Sequence, residues 1–387
     1  MDIQEIRKES ELVDLFCELA QIPSPSLKED KVIDWICEYC NKNELEYSLD
    51  DFKNVNIFVK ATDETKLPIM LSAHMDVIGD DSPINIYLDG DLIKAKDRTL
   101  GADDKAGIAN ALYFAKNLNK RTDLAHGGLE IHFTRDEENS MSGIKHTDFS
   151  TFNSKYVLVL DSDSLGQCMV AGASYVTADL TINAPKGGHS GNDIGDTSRK
   201  NATKLIADLV SELPQGAYFI EDGQVVTSCN IGGIESGDVN VTNIINTNAH
   251  ATYSIRSSRK DKENELIQTM QDIVDKFNEK YQDIATATIK FIEKMPMFEK
   301  NDDDFVPNIF KKVAKEVGVE PEVSTFHAGA ETHIYANQFN KKGERFSPYL
   351  LGLATVCNMH SAREYVDYKT MIKGQEILKA FFEEFNK

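Results

Sequence analysis

The stretch from Leu71 to Gly107 opens with Leu71-Ser72-Ala73-His74-Met75-Asp76 and closes with Leu100-Gly101-Ala102-Asp103-Asp104-Lys105-Ala106-Gly107. The first motif ends an apolar run on a His-x-Asp, and the second is a glycine-bounded acidic turn in front of an alanine-rich segment. An imidazole at the end of a strand and a carboxylate in the next turn are typical of the first two ligands of a metal ion. This stretch therefore predicts a metal site at one edge of a sheet.

Other predicted strands also end on groups that bind metals. Apolar or alternating runs predict strands at Val55–Lys60, Pro68–Ala73, Leu129–Phe133, Tyr156–Leu160 and Pro348–Leu353. Helical patterns lie between them, which predicts an α/β fold with a mixed, mostly parallel sheet. Open sheets of this class bind ligands beyond the carboxyl ends of their strands. We therefore expect the following side chains to meet at one edge: His74, Asp103, Glu137, Glu138, Asp161 and His360.

Between residues 173 and 294 the pattern changes to β-α-β-β-α-β, which is typical of an antiparallel sheet with both helices on one face. The strands are predicted at Tyr175–Asn183, Gln224–Ile234, Ile244–Ile255 and Ala285–Glu293, and the helices at Asn201–Leu213 and Lys262–Tyr281. This part is expected to be an inserted α+β domain, 173–294. The α/β catalytic domain would then comprise residues 1–172 and 295–387.

Composition excludes several classes of function. The 387 residues include 63 acidic and 42 basic side chains, and the net charge of -21 argues against nucleic acid and against an anionic membrane as partners. No signal peptide is visible at the start, and no apolar run reaches the ~20 residues of a membrane span. Six scattered cysteines indicate reduced thiols, and Cys37 and Cys40 fit helix packing better than a metal or redox site. A cytoplasmic protein is expected.

The residue types at the predicted edge suit two zinc-like ions, provided that one carboxylate bridges them. Asp76 lies two residues after His74, on the same side of an extended chain, and can accept the imidazole's other N–H. Glu137 and Glu138 are adjacent and point in different directions, so one can bind metal while the other acts as general base. Taken singly, each acid is more often an ordinary surface residue. Six such groups after successive strands favour a metal site.

These motifs resemble the M20-type dizinc metallopeptidases over essentially the whole chain. They are Ser72-Ala73-His74-Met75-Asp76, Leu100-Gly101-Ala102-Asp103-Asp104, Thr134-Arg135-Asp136-Glu137-Glu138, Leu160-Asp161 and Met359-His360-Ser361. The resemblance implies that one zinc is held by His74 and Asp161, the other by Glu138 and His360, and that Asp103 bridges them. Cobalt or manganese could replace zinc.

The same resemblance implies roles for further residues. Glu137 would be the general base for a metal-bridged hydroxide, and Asp76 would be the carboxylate that supports a ligand. The insert would be a lid that pairs two subunits into a homodimer, with His189 reaching the neighbouring active site. Asn243 and Arg256 would contact the substrate. The implied reaction is the hydrolysis of short peptides.

Several alternatives stay open. The 100–107 motif is similar to aminotripeptidases, whereas Gly187-Gly188-His189-Ser190-Gly191 and Phe326–Glu331 are more similar to Xaa-His dipeptidases. In the second loop, Glu331 could receive the α-ammonium group of a peptide. A deacylase or N-carbamoyl amidohydrolase on the same scaffold is the nearer alternative function. A non-catalytic binding protein is the more distant one, and the complete set of metal-type residues argues against it.

Overall fold

The structure is a computed structural model that describes residues 2–301 and 303–387. These residues form two compact units. The first comprises the described residues of Met1–Val170, Lys300–Ser324 and Ala330–Lys387, and the second comprises Ala171–Glu299 and Thr325–Gly329.

The elements are numbered in chain order. The helices are α1 (Ile3–Glu9), α2 (Glu11–Ala20), α3 (Asp30–Lys42), α4 (Ala102–Leu118), α5 (Glu137–Ser140), α6 (Ser142–Lys145), α7 (Ala202–Glu212), α8 (Lys260–Lys280), α9 (Phe305–Val317), α10 (Thr332–Tyr335) and α11 (Tyr368–Phe385). The first strands are β1 (Glu46–Leu49), β2 (Val55–Val59), β3 (Ile69–His74), β4 (Ile86–Asp89), β5 (Leu92–Ala95), β6 (Leu129–Thr134), β7 (Tyr156–Val159), β8 (Gln167–Gly172) and β9 (Tyr175–Asn183). The remaining strands are β10 (Gly188–His189), β11 (Gly216–Glu221), β12 (Gln224–Glu235), β13 (Ile244–Ile245), β14 (Asn248–Ser257), β15 (Thr286–Met295), β16 (Glu322–Phe326), β17 (Ser347–Leu351), β18 (Thr355–Cys357) and β19 (Tyr365–Asp367).

The first unit is built on a mixed sheet with the strand order β1-β2-β6-β3-β7-β17-β8-β16. Its four central strands, β6, β3, β7 and β17, run parallel, and β2 joins β6 in the antiparallel direction. Strands β3 and β6 are buried along their whole length. Burial agrees with the mainly apolar sequence of β3, whereas β6 also buries the polar side chains of Glu130 and His132. Because the central strands are parallel, the residues that follow β3, β6 and β7 emerge at the same edge of the sheet.

A second, smaller sheet in this unit has the strand order β18-β19-β5-β4 and is antiparallel throughout. Strands β4 and β5 form a hairpin whose turn contains Gly90 in a left-handed conformation with φ 65°. The loop between β18 and β19 carries His360. Its two ends are tied together by the pairing of Cys357 with Tyr365, so the loop is short and anchored.

The second unit contains a five-stranded antiparallel sheet, β11-β12-β14-β9-β15, and a short two-stranded one, β10-β13. Helices α7 and α8 pack on the same apolar face of the larger sheet, where a separate core forms around Leu180, Ile206 and Val274. The predicted β-α-β-β-α-β order corresponds to β9, α7, β12, β14, α8 and β15. The additional strand β11 was missed because its sequence is mostly exposed and does not alternate in burial.

The remaining expectations about the chain's elements can be compared directly with the structure. The predicted α/β class with a mostly parallel sheet and an inserted α+β domain is confirmed. All six cysteines carry free thiols, with Cys40 in the core and Cys37 packed against it, which agrees with the packing interpretation. Among the described residues, no helix combines the length and apolar content that crossing a bilayer requires.

Candidate metal centre

The metal-type side chains reach one edge because each follows a strand or opens a helix at that edge. His74 is the last residue of β3, and Asp161 lies two residues beyond β7. Asp103 lies in the first turn of α4, where Gly101 adopts a left-handed conformation with φ 76°. Glu138 lies in α5, directly after β6. The fold therefore brings together residues that are up to 286 positions apart in the chain.

Asp103 lies between the two histidines. Its Oδ1 is 3.1 Å from His74 Nε2, and its Oδ2 is 3.1 Å from His360 Nε2. On the His74 side, Asp161 Oδ1 is 3.6 Å from Nε2, and on the other side Glu138 Oε2 is 3.0 Å from His360 Nε2. Two ligands of one tetrahedral zinc, each about 2.0–2.1 Å from the metal, lie ~3.3 Å from each other. The spacings therefore match two ligand pairs that share one carboxylate.

The chemistry of the donors fits a pair of divalent ions. Two neutral imidazoles with carboxylate oxygens are a donor set that zinc accepts, and harder ions such as manganese accept the carboxylates. The ligand atoms of His74, Asp103 and Glu138 lie within 4.8 Å of one another. Within the described residues, the buried Oε1 of Glu138 has no hydrogen-bond partner. A buried carboxylate oxygen without a donor is costly unless a cation or water satisfies it.

The pKa values of the ligands reflect the crowding of acids around the two imidazoles. Burial raises the pKa of Glu138 to about 7, and burial together with the charge of Asp103 raises the pKa of Asp161 to about 7. The hydrogen bond to Asp103 raises the pKa of His360 to about 9. Without metal, these groups therefore share protons at neutral pH. Metal binding needs the deprotonated forms, so it must release protons.

Asp76 is buried next to His74 but serves mainly the turn that follows β6. From the sequence, we expected the Asp76 carboxylate to accept the imidazole N–H of His74. In the structure, His74 Nδ1 lies 2.9 Å from the main-chain oxygen of Asp76 and 3.5 Å from its Oδ1. The carboxylate oxygens accept the N–H groups of Glu137 at 2.9 Å and Glu138 at 3.2 Å. Burial opposes the charge on Asp76, but its hydrogen bonds outweigh burial and lower its pKa.

Glu137 lies beside the ligands without being one of the closely spaced set. The preceding residue, Asp136, has φ 55°, and this left-handed conformation turns the chain sharply after β6. Burial raises the pKa of Glu137 well above its usual value, and the negative charges of Asp161 and Glu331 add to that effect. A carboxylate with a raised pKa next to a metal-type cluster suits proton transfer near neutral pH.

Comparison with known proteins gives the family. Residues 70–384 match the family described as "Peptidase family M20/M25/M40". This match covers well over half of the chain. The chain belongs to this family. The predictions of an M20-type chain and of a metallopeptidase are thereby confirmed.

Individual relatives are distant but extend over almost the whole chain. Peptidase T of Listeria innocua is 26% identical over 391 residues, which cover 97% of this chain and 87% of the relative. The protein named YqjE of Bacillus subtilis, described as uncharacterized, is 27% identical and covers 97% and 98% of the two chains. The crystal structure of aminopeptidase PepT from Bacillus cereus superposes with a TM-score of 0.85 at 24% identity, covering 97% and 98% of the two chains. That likeness concerns the fold.

Glu331 occupies a deeper position in this M20 peptidase than the sequence suggested. Its side chain is 1% exposed and accepts a hydrogen bond from Ser72 Oγ at 3.3 Å. Burial raises its pKa to about 7. Its Oε1 is buried and, among the described residues, has no hydrogen-bond partner. Its negative charge contributes to the raised pKa of Glu137, and its hydrogen bond with Ser72 ties it to β3. Reception of a peptide's α-ammonium group by Glu331 stays a prediction.

Sequence reasoning missed a second buried acid, Glu364. Its carboxylate accepts N–H groups from Gly101 and Ala102 at 2.8 Å and from Asp103 at 3.2 Å. It therefore supplies the cap that α4 otherwise lacks, and it fixes the turn that carries Asp103. The signal was weak because Glu364 follows His360 by four residues in a polar loop and looks like a surface acid.

The three remaining predicted residues lie in the second unit. His189 is exposed, pairs across β10 and β13 with Ile244, and accepts the Gly191 N–H at its Nδ1 at 3.1 Å. The main-chain oxygen of Asn243 accepts the Ser190 N–H at 2.9 Å, which ties the two loops together. Arg256 stacks on the ring of Tyr175, with 4.1 Å between the guanidinium carbon and the ring centroid.

Proposed function

We propose that this M20 peptidase cleaves short peptides, of two or three residues, from the amino end, using two divalent metal ions. His74 and Asp161 would hold one ion, Glu138 and His360 the other, and Asp103 would bridge them. The observation that supports this assignment best is the placement of Asp103, whose two carboxylate oxygens each lie 3.1 Å from a different histidine. We propose zinc as the physiological metal, with cobalt and manganese as alternatives.

When bound, two such ions lower the pKa of a shared water and polarise a carbonyl oxygen. The side chains around them determine the rest of the reaction. Glu137 would accept a proton from the attacking water and later pass it to the nitrogen of the leaving amine. Its raised pKa allows the carboxylate to hold that proton between the two steps. Asp76 would keep Glu137 in place through the main-chain N–H that it accepts.

The preference for short peptides with a free amino end is inferred from the relatives that carry the names Peptidase T and aminopeptidase PepT. It extends the family's general peptidase chemistry to a particular substrate class. Asn243 and Arg256 are proposed to contact the substrate. We place the enzyme in the cytoplasm, in agreement with its six free thiols.

A homodimer through residues 173–294 is part of the proposal. In the described residues of the second unit, large apolar side chains lie open to solvent, among them Val239 at 96% and Ile194 at 68% exposure. Burial of these side chains against a second copy of the chain would favour association. In the dimer, His189 of one subunit would donate to the substrate oxyanion of the other, a contribution that is typically worth about 10²–10³ in rate. Light scattering that gives 43.3 kDa, the mass of one chain, would contradict this.

The test is a digest of a library of di-, tri- and tetrapeptides with zinc, cobalt or manganese, and with a chelator as control. Release of single amino-terminal residues that stops with the chelator supports the proposal. Turnover of N-acyl or N-carbamoyl amino acids without peptide cleavage would support the deacylase or amidohydrolase alternative. Binding of fewer than two ions per chain without turnover of any substrate would favour a binding protein.

A further inference from the structure

We propose that residues 22–29, here called the N-terminal bracket, position the general base of the proposed reaction, with Ser26 and Glu29 as its positioning residues. The inference rests on the proposed role of Glu137. The segment contains Pro23 and Pro25, which cannot continue the preceding helix. In the structure it contacts the chain next to three parts of the metal centre.

Ser26 acts on the base through Asp76. The Ser26 hydroxyl donates to Asp76 Oδ2 at 2.7 Å, and the same carboxylate accepts the main-chain N–H groups of Glu137 and Glu138. Asp76 is 0% exposed, so no bulk water can replace a missing donor. The hydroxyl therefore fixes the rotation of the carboxylate that in turn fixes the turn carrying the base.

Glu29 acts on the same turn from its other side. Its carboxylate is 0% exposed and accepts the Asp136 N–H at 3.0 Å and the Arg135 Nε–H at 2.8 Å. Asp136 is the residue with φ 55°, where the chain reverses into Glu137. A non-glycine residue adopts this conformation only when its surroundings stabilise it. The hydrogen bond from the Asp136 N–H to Glu29 provides this stabilisation.

Three further hydrogen bonds anchor the bracket itself. Ser24 Oγ donates to the main-chain oxygen of Met75 at 2.8 Å, and the Val77 N–H donates to the main-chain oxygen of Ser24 at 2.9 Å. The buried Lys105, two residues after Asp103, donates its ammonium to the main-chain oxygen of Ile22. The bracket thus joins the end of β3, the end of β6 and the start of α4, which carry three of the five proposed ligands, His74, Glu138 and Asp103.

The sequence of the bracket explains its shape. Pro23 and Pro25 fix their own φ angles and push the residues before them toward extended conformations. Side chains two residues apart on an extended chain point to the same side. Ser24 and Ser26 consequently both face the Met75-Asp76 segment, and each makes its hydrogen bond there.

The experiment compares Ser26→Ala with Ser26→Thr, which retains a hydroxyl. Ser10→Ala is the matched control, because Ser10 caps α2 through the Val13 N–H and does not contact the metal centre. Metal content, kcat, KM and thermal stability are measured for each variant. In addition, hydrogen–deuterium exchange of a peptide covering residues 135–141 is followed in the metal-free protein without substrate.

For Ser26→Ala, we expect a fall in kcat of about 10- to 100-fold with KM within about twofold and both ions retained, since partners of this kind typically have effects of that size. Exchange at the Glu137 and Glu138 amides should accelerate, and Ser26→Thr should restore both properties. Ser10→Ala should lower thermal stability while leaving kcat and exchange in this peptide unchanged. Unchanged kcat and exchange in Ser26→Ala would overturn the proposal.

Glu29 is tested with Glu29→Gln, which keeps an acceptor for the Asp136 N–H but removes the charge facing Arg135. We expect faster exchange in residues 135–141 than in wild type and a loss of kcat without a change in KM. Wild-type exchange in this variant would contradict its part. If the wild-type enzyme cleaves no peptide, the proposed function fails, whereas the exchange measurements still decide whether the bracket holds the turn.

Discussion

Asp76 holds the backbone of Glu137 through the main-chain N–H and does not hold the half-buried Glu137 side chain. Replacement by glutamine therefore removes the proton acceptor while the turn and the neighbouring ligands keep their places. We expect Glu137→Gln to bind both ions and to lose at least about 10²-fold in kcat, the usual contribution of general acid–base catalysis. Steady-state kinetics with metal analysis of the same sample measures this.

Glu138→Gln serves as the comparison, because Glu138 Oε2 lies 3.0 Å from His360 Nε2, among the proposed ligands. That variant should lose metal as well as rate. Equal metal loss in both variants would contradict the separation of base and ligand between these adjacent residues.

His132 gives a prediction about stability and pH. It is fully buried, with Nδ1 2.7 Å from the Tyr335 hydroxyl and Nε2 3.2 Å from Thr147 Oγ1, and burial lowers its pKa to about 3. The unfolded chain binds the proton first, near pH 6.5, so stability falls as pH drops below that value. If the pKa of His132 in the folded state is below 5, lowering the pH from 7 to 5 reduces the free energy of unfolding by about 2 kcal/mol.

Urea unfolding of the metal-free protein at pH 7 and pH 5 measures this loss, and His132→Asn should remove that part of it. The comparison of slopes cancels the contributions of other titrating groups. If the free energy of unfolding changes equally with pH in the variant and in wild type, His132 has the same pKa in the folded and unfolded states, and the prediction is wrong.

At this scale, side chains that act alone at the end of a strand could be predicted, and those that act through another residue could not. His74 and Asp161 end apolar runs, which is a local signal. Ser26 and Glu364 reach the centre through partners 50 and 261 to 263 residues away, and nothing near them in sequence marks those partners. The burial of Glu331 could not be predicted either, because no sequence pattern marks a carboxylate in a loop as buried.

Among the elements, the helix α11 depends on close approach to the chain after β17. A Cβ added at Gly374 would lie 1.7 Å from the Leu353 main-chain oxygen, far inside contact distance and against backbone that cannot rotate away. Alanine gains about 1 kcal/mol over glycine in a helix, but this clash outweighs that gain. We expect Gly374→Ala to destabilise the protein by about 1–3 kcal/mol in equilibrium unfolding.

Gly233→Ala is the control, since a Cβ there would meet no atom within 4 Å and φ is not positive. It should stay close to wild type. Wild-type stability of Gly374→Ala would mean that α11 can shift away from Leu353.

Elements with a strong apolar pattern were predictable. Strands β3 and β7 are mainly apolar and buried end to end, so their composition identifies them. Strand β6 was identified by its alternation of apolar and polar residues, although both of its faces are buried. Strand β16 escaped prediction because its residues are partly exposed and polar. Strand β16 joins the sheet by pairing with β8, which is distant in sequence, and a local sequence pattern does not encode such pairing.

Across the whole molecule, the proposed ligands lie in the first unit, whereas the second has its own core around Leu180 and Val274. Removing metal should therefore weaken one unit directly. An ion that binds only the folded form stabilises by RT ln(1 + [L]/Kd), about 2.7 kcal/mol at 100 times Kd. We expect calorimetry of the chelated protein to show a lower Tm for the transition that includes the first unit, and zinc to restore it.

A variant of a proposed ligand tests whether this calorimetric transition reports metal binding in the first unit. In Asp103→Asn, one bridging oxygen becomes an amide that cannot serve two ions equally, so added zinc should raise Tm less than in wild type. Gly233→Ala lies in the second unit and should keep the full response to zinc.

The increase in Tm on adding zinc should depend steeply on pH, because acids are crowded around His74 and His360. At lower pH the ligands hold protons, so the same zinc concentration should stabilise the protein less. A zinc response that is identical at pH 6 and pH 8 would contradict binding at these residues.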